Sequence, residues 1–201
     1  MAAVEPLRDR KKVEQMLIHL EKTNYVGAIM ARIGLNTSLR ISDILNLKYE
    51  DVVNSDGQIK DHLTVYERKK HKVHPKTGKK IRPKGIKILI APNLKKHLAE
   101  HIHRFALVPG DWICFDPLDP SRPVGRIKAW RWLKAAARTC NVENFGTHSL
   151  RKTFAYHTYR ANGNDIYLVM NLLNHKDPEY TLRYIGITQE MKDKAVELIN
   201  F

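Results

Sequence analysis

The chain has 201 residues, 43% of them hydrophobic and 28% charged, enough to bury the core of one full-sized domain and too apolar for a disordered polyelectrolyte. Its 35 Lys and Arg against 21 Asp and Glu give a formal net charge of +14, a positive field whose natural partners are polyanions, nucleic acid first. There is no run of eighteen apolar residues, the start MAAVEPLRDRKKVEQ is too polar for a signal peptide, and Cys114 and Cys140 have neither metal-like spacing nor a disulfide framework; a cytoplasmic protein that does not enter the membrane is expected.

In chain order, residues 9 to 22 place Val13, Met16, Leu17 and Leu20 on one stripe, which predicts an amphipathic helix, and a second helix is expected from Asn24 to Ile33. After GLNTSLR, residues Ile41, Ile44, Leu45 and Leu47 repeat at helical spacing, which places Arg40 at a loop-to-helix junction. From Val52 the pattern changes. Asp56-Gly57 marks a turn, HLTVYER alternates like a half-buried strand, and GIKILIAP reads as its partner. Between them, KKHKVHPKTGKKIRPK is too charged for an inner strand and reads as an exposed loop or an extended hairpin tip.

Helical spacing resumes over 93 to 105 with Leu94, Leu98 and Ile102. His97 and His101 stand four apart there, but the third ligand and general-base carboxylate of a hydrolytic zinc site are missing, so the pair reads as a solvated helix face. DWICF reads as a short extended segment and PLDPSRPVG, with three prolines and a glycine, as a loop. Helices are expected near 125 to 139, 148 to 161, 165 to 173, 178 to 184 and 188 to 199, with Gly163 and Gly186 placed to end two of them. Together these predict one α+β domain, mainly α-helical, carrying a small antiparallel sheet.

Two features carry chemistry. Residues 68 to 87 hold ten Lys or Arg and no acidic residue, with His71 and His74 added; releasing counterions from a polyanion rewards such a cluster, which favours phosphate contact over a solvated loop that only aids solubility and assigns nucleic-acid contacts to Arg68, Lys70, Lys72, Lys76, Lys79, Lys80 and Arg82. The second is GTHSLRKTFAYHTY, which puts His148 and Arg151 on one helix face with Thr147 placed to cap the turn, followed downstream by His175 and Tyr184 in LLNHKDPEYTLRYIGI. Phosphoryl transfer from DNA needs a nucleophile and donors for the two non-bridging oxygens, and guanidinium forks meet that need without a metal.

GLNTSLRISDILNLKYEDV, THSLRKTFAYH and LLNHKDPEYTLRYIGI resemble the three signature boxes of the tyrosine recombinase (phage integrase) family, and the ordered set Arg, Lys, His-x-x-Arg, His, Tyr is very specific. The resemblance spans about residues 5 to 201. It implies a mixed, mainly helical catalytic domain performing metal-free, cofactor-free DNA strand exchange. By position, Arg40 resembles the first arginine that clamps the scissile phosphate, and Asp43 the acidic residue that braces it. Arg151 resembles the second clamp, and His148 the histidine that assists proton transfer and phosphate binding. His175 resembles the His or Trp position at the phosphate, and Tyr184 the nucleophile that forms a 3′-phosphotyrosyl bond and frees a 5′-hydroxyl. The lysine that protonates the leaving 5′-oxygen is assigned to Lys69, at a strand end, with Lys76 in PKTGKK as the rival. Tyr180, one helical turn before Tyr184, is the rival nucleophile; the nine-residue offset from His175 and the following Ile-Gly favour Tyr184.

Many members of that family carry a separate DNA-binding domain ahead of the first box, and Arg40 comes too early for one here; residues 1 to 201 are expected to be the catalytic domain alone. Residues 188 to 199 resemble the C-terminal segment through which members can dock onto a neighbouring protomer. The resemblance therefore implies double-stranded DNA as partner, self-assembly as a dimer or tetramer on it, and a bacterial or phage-encoded origin. A site-specific recombinase or integrase is the leading reading. The alternatives are a recombinase-fold DNA-binding protein without complete strand exchange and a type IB topoisomerase-like activity, which uses the same cleavage without a synapse.

Overall fold

A computed structural model describes residues 4–65, 72–73, 80–81, 85–187 and 189–199. Helix α1 (Arg10–Thr23) starts where the Asp9 carboxylate accepts the Lys11 N–H at 2.8 Å. Asn24 closes α1 by donating its N–H to the Leu20 carbonyl and opens α2 (Tyr25–Asn36) by accepting the Gly27 N–H at 3.0 Å. The second helix runs three residues past the predicted Ile33, because its apolar face continues through Gly34 and Leu35. It is the central element, buried along most of its length and packed on α1, α5, α6 and α7.

The helical repeat predicted over 41 to 47 breaks into two short pieces, α3 (Ile41–Ile44) and α4 (Tyr49–Val52). A distant segment causes the break: Ile113 donates its N–H to the Leu47 carbonyl at 2.9 Å, Tyr49 donates to the Asp111 carbonyl at 2.8 Å, and Lys48 bridges Trp112 in antiparallel fashion. Backbone groups engaged there cannot complete a helix. Strand β1 (His62–Val65) pairs antiparallel with β4 (Ile86–Leu89), as the alternation predicted. Between them, β2 (Lys72–Val73) and β3 (Lys80–Ile81) form a second antiparallel pair, the hairpin of the two expected alternatives.

Helix α5 (Pro92–Phe105) is followed by β5 (Phe115–Asp116), which pairs with β6 (Asp119–Pro123). The expected loop over 117 to 125 therefore contains a strand, contrary to the reading of its prolines. Pro120 and Pro123 lack an N–H, yet β6 has only β5 beside it, and an edge strand needs no donor toward solvent. Helices α6 (Arg126–Thr139), α7 (Thr147–Ala161), α8 (Ile166–Leu173), α9 (Pro178–Tyr184) and α10 (Gln189–Glu197) fall where predicted. Among the described residues the β structure is three two-stranded sheets rather than one, within a mainly helical α+β domain.

Two apolar clusters position the site. The larger gathers around α2 and includes Leu98 of α5 and Leu133 of α6, both fully enclosed; truncating either to Ala costs about 2–5 kcal/mol. Gly34 lets α2 approach α7, since a Cβ there would lie 2.9 Å from the Leu150 Cδ1. The loop before α3 meets α7 where Arg151 donates to the Ser38 carbonyl. The smaller cluster, Ala155, Val169, Leu173 and Ile185, seats α8 and α9 on α7.

His101 departs from its predicted place on a solvated helix face. It is fully enclosed, stacked nearly parallel on Tyr25 at 6.0 Å and tilted on Phe105 at 5.1 Å, with Nε2 2.8 Å from the Ile113 carbonyl. Burial pushes its pKa down to about 4. Cys114 is buried, which pushes its thiol up to about 12, and Cys140 is half-buried.

Candidate active site

Residues from four separate stretches of chain line a cavity of about 510 Å³: Arg40 from the start of α3, His148, Arg151 and Lys152 from α7, His175 from the α8–α9 turn, and Tyr180, Arg183 and Tyr184 from α9, with Val4 at its edge. The five described residues assigned to the chemistry, Arg40, His148, Arg151, His175 and Tyr184, thus share one site. Asp43 is half-buried one turn after Arg40, its N–H bonded to the Arg40 carbonyl at 2.9 Å.

Arg151 is the anchor. Its side chain is buried, with Nη1 donating to the Ser38 carbonyl and Nη2 donating to the Leu173 carbonyl at 2.8 Å. A buried guanidinium held by backbone oxygens from both sides keeps its charge and its orientation. Arg40 is the residue immediately before α3, in extended conformation. His148 is the second residue of α7 and so stands at the positive end of that helix's dipole. Thr147 is the first helical residue and not the cap. Gly146 takes the cap position, and its N–H is received by the Ser149 hydroxyl at 3.1 Å.

His175 follows Asn174, whose left-handed conformation (φ 54°) turns the chain out of α8. Its Nδ1 lies 3.1 Å from the Thr181 hydroxyl, which itself donates to the Asp177 carbonyl at 3.0 Å. The hydroxyl proton is thereby used, so Nδ1–H is the donor and Nε2 is left as the acceptor nitrogen. The ring meets Tyr184 edge-on at 5.2 Å and Tyr180 at 4.8 Å. Tyr184 is the last residue of α9, ended by Gly186 at φ 76°, whose N–H bonds to the Arg183 carbonyl while Ile187 bonds to Leu182.

Charge and burial act together here. His175 is pushed down to about 4, by burial first and then by Arg151 and Arg40. His148 is lowered by burial and by the nearby charges of Arg126, Arg151, Lys152 and Arg40. Both imidazoles are therefore neutral at pH 7. Burial raises the pKa of the Tyr184 phenol, and the Arg151 and Arg40 guanidiniums, one of them hydrogen-bonded to it, oppose that rise without cancelling it. The Tyr184 phenol thus rests protonated, in a field that favours its anion.

Val4, Lys152 and Arg183 are site residues that sequence reasoning did not single out. Lys152 donates to the Val4 carbonyl at 2.9 Å, and its Nζ lies 5.4 Å from the Tyr184 ring centre. Its place beside Arg151 in a charged box was the available signal. Val4 gave none, being 148 residues away. Of the basic segment, Lys72 and Lys80 lie in β2 and β3; Arg68, Lys69, Lys70, Lys76, Lys79 and Arg82 lie outside the described residues, and with them the choice between Lys69 and Lys76.

A larger cavity of about 640 Å³ lies between α1, α5 and α6, walled by Tyr25, Phe105, Phe115 and Trp132. It holds Lys128 but no pair of guanidiniums. Among the described residues no group of three or more His, Cys, Asp or Glu is placed to hold a metal ion, and no helix is long and apolar enough to cross a membrane.

The chain as a whole is similar to several known proteins. The chain is 36% identical over 198 residues, 98% of each sequence, to a probable integrase/recombinase, YoeC, of Bacillus subtilis (strain 168). It is 24% identical to a tyrosine recombinase of Pseudothermotoga lettingae, matching 90% of this chain and 57% of that one. Its fold superposes on the XerA recombinase with a TM-score of 0.72 at 15% identity, covering 99% of this chain and 66% of that one. A lambda integrase dimer bound to a COC′ core site gives 0.62 at 17% identity, over 92% and 49% of the two chains. The phage integrase family profile matches residues 8–191, and the chain belongs to that family of tyrosine-type site-specific DNA recombinases.

Proposed function

We propose that the chain cleaves and rejoins double-stranded DNA through a 3′-phosphotyrosyl intermediate. The observation that carries this reading is the single cavity in which Arg40 and Arg151 face Tyr184 with two neutral histidines beside them. The scissile phosphate sits between the two guanidiniums, which take its non-bridging oxygens as charge builds on them. Tyr184 Oη attacks phosphorus, the new bond joins the DNA 3′-phosphate to the phenol, and the P–O5′ bond breaks. His148, unprotonated at neutral pH, accepts the phenol proton, and a lysine of the basic segment, Lys69 in preference to Lys76, gives a proton to the leaving 5′-oxygen. Reversal with a 5′-hydroxyl from another strand completes the exchange.

The exposed basic side chains of α6, Arg126, Arg131 and Arg138, add to the positive surface, and DNA phosphate contacts are assigned to them and to the basic residues of the 68 to 87 sequence. Assembly as a dimer or tetramer on DNA uses the C-terminal segment, where Val196, Leu198 and Ile199 are all largely exposed. The test is a labelled DNA target nicked so that the freed 5′ end diffuses away, incubated in excess EDTA. A covalent protein–DNA adduct is expected on a denaturing gel, since the phosphate ligands are side-chain donors. No adduct with any target drawn from the flanks of the protein's own gene would leave a DNA-binding protein without cleavage.

A further inference from the structure

We propose that Arg8 is a positioning residue for the nucleophile: an N-terminal strap, residues 4 to 8, ties the tail of the Tyr184 helix to the helix that carries Arg151. The inference rests on the cleavage reading above. The strap is fastened along α7. The Leu7 N–H donates to the Thr153 hydroxyl at 2.8 Å, the Leu7 carbonyl lies 3.0 Å from His157 Nε2, and the Val4 carbonyl accepts from Lys152 at 2.9 Å. Arg8 then reaches across to α9. Its Nη2 donates to the Gly186 carbonyl at 2.9 Å, while its guanidinium stands 5.7 Å from the Tyr156 ring of α7 and 3.5 Å from the Glu5 carboxylate.

Gly186 is the residue that ends α9 two positions after Tyr184. The strap presses on it so closely that a Cβ would lie 2.5 Å from Arg8 Nη2 and 3.2 Å from the Pro6 Cγ. Helix α9 has only 7 residues and bears the nucleophile on its last one, so the direction of the phenol depends on how that end is held. Its start is fixed by Asp177 and by the His175–Thr181 contact; Arg8 supplies a fixed point at its end. Because the strap is fastened to α7, it sets Tyr184 relative to Arg151 itself. A displacement of about 1 Å in a reacting atom is enough to slow attack by about a hundredfold.

The test separates aiming of the phenol from the rest of the site. Arg8→Ala and Arg8→Lys are compared with wild type in single-turnover cleavage of the nicked target at saturating DNA. A second assay joins a 5′-hydroxyl strand to a DNA 3′-phosphate activated as its p-nitrophenyl ester, in a Tyr184→Phe background. There the 5′-oxygen forms the bond to phosphorus and p-nitrophenolate leaves, so the phosphate clamp is used and the phenol is not. For Arg8→Ala we expect cleavage slowed about tenfold, with DNA affinity and ester ligation each within about twofold of the parent, and partial recovery in Arg8→Lys, which keeps one donor. Unchanged cleavage, or ligation falling in step with cleavage, overturns the proposal. If Arg8→Ala does not fold, Arg8→Lys carries the same comparison. A wild-type protein that forms no adduct removes both this proposal and the reading beneath it.

Discussion

Two cavities among the described residues differ little in size and almost wholly in what lines them. One, about 640 Å³, is walled by aromatic rings; the other, about 510 Å³, gathers Arg40, Arg151, Lys152 and Arg183 around two histidines and a tyrosine. Volume alone would point to the one without the guanidiniums. A depressed histidine does not distinguish them either, since His101 behind the aromatic wall and His175 in the cationic cavity are both pushed down to about 4. The causes differ. At His101 burial acts alone against the Ile113 carbonyl, whereas at His175 two guanidiniums add to burial. A group depressed by neighbouring charge responds to an anion, and one depressed by burial does not.

The largest effect expected from that contrast is at Tyr184. Tyr184→Phe removes one oxygen, and the adduct should vanish while DNA affinity and Tm stay close to wild type; Tyr180, half exposed and 6.1 Å from the Tyr184 ring, should be replaceable by Phe with the adduct retained. Next comes Arg151→Ala, which strips a buried guanidinium from the Ser38 and Leu173 carbonyls as well as from the phosphate. Cleavage at saturating DNA should fall by about 10²–10³, with some loss of Tm, in a single-turnover measurement.

The histidines sharpen the comparison through pH. Each is neutral in the folded protein down to about 4, while the unfolded chain takes up its proton near 6.5, so stability is full above that range and falls as pH drops through it. His101→Phe should remove its share of the acid loss, on the order of 3 kcal/mol, seen as a flatter dependence of Tm on pH. Binding DNA to the Tyr184→Phe protein should raise the pKa of His175, because a phosphate offsets Arg151 and Arg40, and leave His101 where it was. Imidazole resonances followed by NMR would show both, and equal movement of the two would break the distinction. The smallest effect is expected at the aromatic cavity. Ala135→Leu, on its exposed rim, should leave adduct formation within about twofold of wild type.

The sequence carried the fold wherever structure is written locally. The stripes on α1 and α5 and the alternation of β1 are local patterns, and they landed on the observed elements. What escaped was set by distant partners. The break between α3 and α4 comes from Ile113 and Asp111 bonding across more than sixty positions, and β6 is a strand because β5 pairs with its proline-rich chain. The site divides in the same way. Arg40, His148, Arg151, His175 and Tyr184 were nameable from the resemblance of their boxes to a known family, and the structure places them around one cavity. Lys152 stood beside Arg151 in one of those boxes, whereas Val4 and Arg8 are tied in by hydrogen bonds across 148 and 178 positions, which no local pattern encodes.

The most direct test of the account is to find where the DNA is attached. After trapping on the nicked target, the adduct is digested with nuclease and protease, and the nucleotide-bearing peptide is sequenced by mass spectrometry. A 3′-phosphoryl nucleotide on Tyr184 is the predicted result. Attachment at Tyr180, or at any other residue, would contradict the account, since the arrangement of Arg40 and Arg151 around that one phenol is its central claim.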